Sequence, residues 1–234
     1  MTQTIQVGEI SIAVTRKAIK HAYLSVHRPN GRVTLVTPKR MRADAARAYA
    51  ESKLNWILDK QAQLREQLHE PPREFVEGEI HYLWGRQHAL SLVEKPAKPS
   101  VRLIDDKIVL TVRPGASTTK RDAVIHEYHK ALLHEAVPPL IDRWQAQLGV
   151  KVSSYFLQRM KTRWGSCNHR AGKIRLNTEL VKKPAHLLES VVVHELVHLI
   201  EPSHNHRFKA LMDRHYPAWR EARKQLNQLP PATG

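Results

Sequence analysis

The sequence predicts an α+β fold, because strand-like and helix-like stretches occupy separate blocks of the chain. Near the amino terminus, apolar residues recur at every second position in Ile10, Ile12 and Val14, as in strands with one buried face. Helical spacing dominates from about residue 118 onward. At 234 residues, the chain is long enough for one sizeable domain or two small ones.

Residues 1–115 are predicted to form a β-rich region that contains one long helix. Asn30-Gly31 separates two strand-like runs and is a hairpin signal, because both residues tolerate positive φ. A helical pattern extends from about residue 43 to residue 68 and ends at Pro71-Pro72. Four further strands are expected before residue 115, at about 80–84, 89–93, 101–104 and 108–112.

Residues 116–230 are predicted to form a second domain that is mainly helical. A helix from about Thr118 to Gln147 should be interrupted at Pro138-Pro139, because proline cannot donate the helical hydrogen bond. Two short strands flank Gly172. Later helices are expected at about 185–200, 205–213 and 217–228, followed by a frayed tail at 230–234.

The composition is compatible with a polyanionic partner but does not identify one. Lys and Arg outnumber Asp and Glu by 38 to 22, a formal net charge of +16. Because binding to phosphates releases counterions, weak nucleic-acid contact through a basic surface is one interpretation, and an ordinary basic surface is the other. We find no run of about 18–20 apolar residues and no signal peptide, so we expect a cytoplasmic protein without membrane contact. A single cysteine, Cys167, excludes an internal disulfide framework.

The stretch Val191–Ile200 carries the strongest chemical signal. His194 and His198 are four residues apart on one helix face, so both imidazoles can bind one metal ion. Glu195 lies about 100° around the helix and can reach a metal-bound water. All the other residues of the stretch are apolar, so the helix should be buried, where ionisable groups need partners. We predict one zinc ion per chain here; the alternative is that core hydrogen bonds satisfy the three side chains.

A third ligand is expected after this helix, because an open catalytic zinc site takes three protein ligands. His204 follows His194 by ten residues, as in the His-Glu-x-x-His-x-x-Gly-x-x-His pattern, with Glu201 in place of the glycine. Glu201 shares the helix face but lies about 10 Å along the axis from His194. Pro202 lets the chain turn back. We therefore predict that His204 is the ligand and that Glu201 braces the turn.

The carboxy-terminal half resembles the YgjP-like metallopeptidases, which are related to the WLM and SprT-like zincins. The resemblance covers about residues 155–220. Its segments are Arg-Met-Lys-Thr-Arg-Trp-Gly-Ser-Cys at 159–167, Ile-Arg-Leu-Asn at 174–177, Val-Val-His-Glu-Leu-Val-His-Leu at 192–199, and His204-x-x-x-Phe208. It implies a zincin-like fold with an active-site helix, in which His194, His198 and His204 hold the metal and Glu195 is the base.

These observations predict a zinc-dependent hydrolase, a metallopeptidase with a metal-activated water and a peptide or protein substrate. One alternative is a metal-dependent hydrolase of a non-peptide amide or ester. Another is a non-catalytic basic protein that binds nucleic acid or a partner and keeps a structural zinc, although a structural site has no use for Glu195. The group that stabilises the oxyanion stays open among Arg163, His206 and Tyr216.

The segment that precedes Gly172 has two interpretations. Its hairpin could supply a sheet edge along which the substrate binds as an added strand. Alternatively, Trp164 is a core anchor, Gly165 permits close approach of the backbone, and Cys167 is an inert buried thiol.

Overall fold

A computed structural model of the chain describes residues 2–27, 30–68 and 73–228. It divides into two compact units, Met1–Arg73 and Glu74–Gly234. The boundary therefore falls near residue 73, whereas the sequence analysis placed it after residue 115. The reason is that the strands between residues 80 and 112 share a core with the later helices, through residues such as Leu90, Ile108 and Leu110.

The first unit is a four-stranded sheet with two helices. The strands are β1 (Thr2–Val7), β2 (Ile10–Lys17), β3 (Tyr23–His27) and β4 (Arg32–Pro38), in the order β1-β2-β4-β3. The central pair β2 and β4 is parallel, and the other two pairs are antiparallel. The predicted Asn30-Gly31 hairpin is confirmed, because β3 and β4 pair directly around it and Gly31 has a φ of 69°.

The predicted helix over 43–68 is two helices, α1 (Ala43–Glu51) and α2 (Leu54–Leu68). Ala46, Ala50 and Ile57 from these helices share a buried core with apolar residues of the sheet. The predicted helix end at Pro71-Pro72 lies outside the described residues.

The second unit begins with another four-stranded sheet. Its strands are β5 (Ile80–Leu83), β6 (Arg86–Glu94), β7 (Ser100–Ile104) and β8 (Lys107–Val112), in the order β5-β6-β8-β7. All four were predicted at nearly these positions. The alternating burial in β8, where Ile108 and Leu110 are fully buried, follows from the period of two.

The long helix α3 (Thr118–Leu148) continues through Pro138 and Pro139, so the predicted interruption is wrong. Its buried side chains form one stripe at intervals of three or four residues that crosses both prolines. Packing of this stripe offsets the helical hydrogen bonds that the prolines remove. The residues of the stripe are Ile125, His129, Leu133, Val137, Ile141 and Trp144.

The remaining elements build the region around the predicted metal helix. A three-stranded sheet contains β9 (Ser154–Gln158), β10 (Gly165–Asn168) and β11 (Lys173–Asn177), in the order β10-β11-β9. The two strands predicted around Gly172 are thus confirmed as β10 and β11, and β10 is an edge strand. A 3₁₀ turn at Thr178–Lys182 leads into α4 (Ala185–Val197), α5 (His206–His215) and α6 (Trp219–Gln228).

The chain is therefore α+β, as the sequence predicts. Within the described residues, no helix is both long and apolar enough to cross a membrane. The predicted frayed tail at 230–234 lies outside those residues.

Candidate metal centre and cleft

Helix α4 carries two of the predicted ligands because its buried sides hold it in place. Leu187, Val192 and Leu196 are fully buried within the core. His194 lies in the last turn of the helix and His198 at its carboxy-terminal cap. Since these histidines are four residues apart, their rings emerge from the same face.

Three imidazole nitrogens meet beyond the end of α4. The Nε2 atoms are separated by 3.2 Å for His194 and His198, 3.2 Å for His198 and His204, and 3.0 Å for His194 and His204. A tetrahedral zinc ion with ordinary Zn–N bonds holds its nitrogen ligands about 3.3 Å apart. The three nitrogens therefore fit one face of a zinc tetrahedron and leave its fourth position open.

Neighbouring groups hold the rings in a form that suits a metal ion. The backbone carbonyl of Glu201 accepts a hydrogen bond from His198 Nδ1 at 3.0 Å, so the Nε2 of a neutral His198 carries a free lone pair. Phe208, which is buried, packs against all three imidazoles with ring centroids 4.7–4.9 Å away.

The surroundings favour the neutral form of all three histidines, although His204 is more exposed than the other two. Loss of solvent lowers the pKa of His194 to about 3 and is also the main cause of the lowered pKa of His198 and of His204. Metal ions bind the neutral imidazole. The environment therefore favours the protonation state that binding requires.

Glu201 stands apart from the three nitrogens and braces the turn, as predicted. Its Oε1 accepts hydrogen bonds from the backbone N of Ser203 at 3.2 Å and from its hydroxyl at 2.8 Å. These bonds lower the pKa of the Glu201 carboxyl. Immediately after His204, the side chain of Asn205 caps α5 by accepting from Phe208 N at 3.0 Å. Both ends of the turn are thus fixed around His204.

Glu195 lies beside β10, where Gly165 provides the space for its carboxyl group. A Cβ atom at Gly165 would lie 2.8 Å from Cγ and 2.9 Å from Cδ of Glu195, so even alanine would displace this side chain. Glu195 is only 4% exposed, and burial raises the pKa of its carboxyl to about 8 against the opposing charge of Arg163. Burial thus makes the Glu195 carboxylate a stronger proton acceptor than a solvent-exposed glutamate.

A cleft of about 600 Å³ opens over these groups. The edge strand β10 and the residues before it line one part, and α4 and α6 line others. Arg163, His169 and Arg223 contribute basic side chains, whereas Glu195 is the one acidic residue among the lining residues. The cleft is therefore suited to stabilise negative charge that develops near the histidines.

The loop that carries Arg163 is fixed by a buried asparagine. Asn177 Nδ2 donates to the carbonyls of Met160 at 2.7 Å and Arg163 at 2.8 Å, while its Oδ1 accepts from Met160 N at 3.2 Å. Arg159 forms a two-pronged ion pair with Asp122 of α3, with distances of 2.8 and 3.0 Å. The loop between β9 and β10 is therefore attached to the sheet and to α3.

The structure brings together His194, Glu195, His198 and His204. Of the three open candidates for oxyanion stabilisation, Arg163 lines the cleft, but His206 and Tyr216 are not among its lining residues. The hydroxyl of Tyr216 instead donates to the carbonyl of His186 at 3.1 Å.

Trp164 packs against the core and also lines the cleft, as does half-buried Cys167. Burial raises the pKa of the Cys167 thiol to about 11, so the thiol stays protonated at neutral pH, as expected of an inert cysteine.

Sequence reasoning missed the parts played by Arg223 and Asn177. No local signal pointed to Arg223, because α6 reaches the cleft only through tertiary packing. Asn177 had no local signal of its role, because a polar residue at this position continues the polar and apolar alternation of β11, and its full burial is seen only in the structure.

The fold and the site define a class, the metal-dependent peptidases, and comparison with known proteins identifies the family. The chain belongs to the YgjP-like metallopeptidase family, whose metallopeptidase-domain model matches residues 20–229. None of the curated proteins matches it significantly.

Two solved structures are similar to part of this chain. The metallopeptidase zymogen abylysin of Pyrococcus abyssi is 18% identical over 39% of this chain and 92% of its own, with a TM-score of 0.36. The metallopeptidase zymogen jannalysin of Methanocaldococcus jannaschii is 20% identical over 39% of this chain and 93% of its own, with a TM-score of 0.34.

Proposed function

We propose that the protein is a zinc metallopeptidase in which His194, His198 and His204 hold one zinc ion and Glu195 is the general base. The observation that carries the proposal is the triangle of Nε2 atoms, 3.0–3.2 Å on each side, at the end of the helix that also carries Glu195. Membership of a metallopeptidase family supports it independently.

The zinc ion would supply Lewis acidity, which activates a water molecule and polarises the scissile carbonyl. Glu195 takes the proton from the attacking water and returns it to the leaving amine. Its buried position beside Gly165 restricts the carboxyl to one side of the histidine cluster. This restriction keeps the proton acceptor oriented through both transfers.

The remaining cleft residues bind and stabilise the peptide. An extended substrate adds to the free edge of β10, because this edge strand lines the cleft and offers unpaired backbone groups. Arg163 stabilises the oxyanion in preference to His206 and Tyr216, since it lines the cleft and its charge acts on Glu195.

The first test is metal content and peptidase activity. The purified protein should contain about one zinc per chain and cleave members of a mixed peptide library. Glu195→Gln should keep the zinc but lower kcat/KM by about 100-fold or more, because the amide cannot accept the proton. The matched control is Glu135→Gln, which changes an exposed residue of α3. It should leave the zinc content and kcat/KM unchanged.

Retained activity in Glu195→Gln would reject the assignment of the base. Cleavage of amide or ester model compounds without cleavage of any peptide would support the non-peptide hydrolase instead.

The third ligand is tested by two substitutions in the turn after α4. His204→Ala should weaken zinc binding by about 10-fold or more, because it removes one of three ligands. Glu201→Gln should have a much smaller effect, since this carboxylate contacts Ser203. Zinc affinity measured by competition with a chelator distinguishes the two. The opposite order of effects would identify Glu201 as the ligand.

A further inference from the structure

The first unit has one sheet face that its own helices leave open. Along β2 and β4, Ile12 and Leu35 point towards the helices and are fully buried. The intervening residues, including Thr15 and Thr34, point the other way and are only half-buried. Among the described residues of the first unit, no helix covers this face.

Polar side chains that can form hydrogen bonds occupy this open face, together with one exposed tyrosine ring. Tyr23 on β3 lies opposite Val36 and is 57% exposed. His27 Nε2 lies 2.6 Å from the hydroxyl of Thr34 across the same face. No acidic residue occurs at the outward positions of the four strands that the structure describes. The polar residues of the open face include Thr4, Gln6, Ser11, Thr15, Ser25 and Thr34.

Positive charge collects at one end of the same sheet. Because β2 and β4 are parallel, their carboxy-terminal ends lie side by side, and Lys39 N donates to the carbonyl of Lys17 at 3.0 Å. We call the basic residues at this end the basic rim. All of them are exposed, and none forms an ion pair with any residue of the described ranges. They are Arg16, Lys17, Lys20, Lys39 and Arg40.

Among the side chains that the structure describes in this unit, the acidic ones lie away from the rim or form an ion pair. Asp44 forms an exposed ion pair with Arg42 at 3.5 Å. Glu9 is in the turn between β1 and β2, at the opposite end of the sheet, while Glu51 and Asp59 are on the helices. The rim therefore carries an excess of positive charge among the described residues of the first unit.

We propose that the open face and the basic rim bind single-stranded nucleic acid. Phosphates bind the lysines and arginines of the rim, and a base stacks on Tyr23. Hydroxyl and amide side chains of the face contact base edges and sugars. A single strand fits better than a duplex, because only unpaired bases expose their faces to an aromatic ring. The proposal uses residues of the first unit alone and does not depend on the proposed peptidase activity.

The test is fluorescence anisotropy with the full chain and a labelled single strand of about 15 nucleotides, as DNA and as RNA, at low salt. Lys17→Glu/Lys39→Glu should weaken binding by at least about tenfold and reduce the salt dependence. Tyr23→Ala should weaken binding by at least about fivefold, because one stacked base is lost. The matched control is Arg47→Glu/Lys53→Glu, which makes the same change in net charge on α1 and in the turn between α1 and α2, and it should weaken binding less than about twofold.

Three results would overturn the proposal. One is no binding of either strand at low salt, and another is equal weakening by the rim and control variants. The third is tighter binding of a duplex of the same length together with no effect of Tyr23→Ala. Thermal unfolding of each variant verifies that it is folded, and all the substituted side chains are exposed.

Discussion

Gly165 is the residue on which the position of Glu195 depends most directly. Gly165→Ala should lower kcat/KM by about tenfold or more, because the new methyl group would occupy the space of the Glu195 side chain. Zinc content should stay near one per chain, since no ligand is touched. Peptide hydrolysis and metal analysis on the same preparation measure the two effects.

Gly149→Ala is the control for this substitution. Gly149 has a φ of 65° at the end of α3, so alanine there strains the backbone. This variant should lose thermal stability but keep its activity. Equal activity of Gly165→Ala and the wild type would show that Glu195 does not need its present position.

The site residues differ in how directly the sequence reveals them. The interval of four residues predicts that His194 and His198 share a face, because helix geometry alone determines it. His204 required a further argument about axial rise and the turn at Pro202. Arg223 could not be predicted, since its place in the cleft depends on how α6 packs rather than on any local pattern.

At the scale of elements, Asn177 connects β11 to the loop that carries Arg163. Asn177→Ala should lower the free energy of unfolding by about 2–4 kcal/mol, because it leaves buried backbone groups of the loop without partners. It should also lower kcat/KM by about tenfold or more, since Arg163 and Trp164 lose their support. Urea denaturation and peptide hydrolysis measure these effects.

Asn168→Ala is the matched control on the neighbouring strand. Asn168 is exposed and accepts one hydrogen bond, from Ala171 N at 3.2 Å. We expect a loss below about 1 kcal/mol and unchanged activity. If Asn177→Ala lowered the free energy of unfolding but left kcat/KM unchanged, the loop would have no part in catalysis.

The strands were easier to predict than the limits of the long helices. Alternation and turn residues located β5 to β8 within a few positions, because a sheet with one buried face imposes its period on the sequence. The rule that proline ends a helix failed in α3. Its buried stripe runs from Ile125 to Trp144 across both prolines, and tertiary packing of this kind outweighs a local preference.

At the scale of the whole molecule, the net charge of +16 does not by itself distinguish a binding surface from an ordinary basic surface. In the first unit, the fold shows where positive charge is concentrated, because two parallel strands bring Lys17 and Lys39 together from distant positions in the sequence. The boundary between the units was predicted too late in the chain for a related reason. Strand periodicity identifies β5 to β8 but does not indicate which core they join.

Each unit has its own buried core, and within the described residues the two cores have no member in common. A fragment of residues 74–234 should therefore fold cooperatively, because it keeps the core that includes Leu90, Leu133 and Val192. It also contains His194, Glu195, His198 and His204, so it should bind about one zinc and keep kcat/KM within about tenfold of the full chain. It lacks the basic rim and should no longer bind single-stranded nucleic acid. Circular dichroism on heating, zinc analysis, peptide hydrolysis and anisotropy measure these properties. A fragment that binds zinc but cleaves no peptide would show that residues 1–73 contribute to catalysis, whereas an unfolded fragment would show that the second core does not suffice alone.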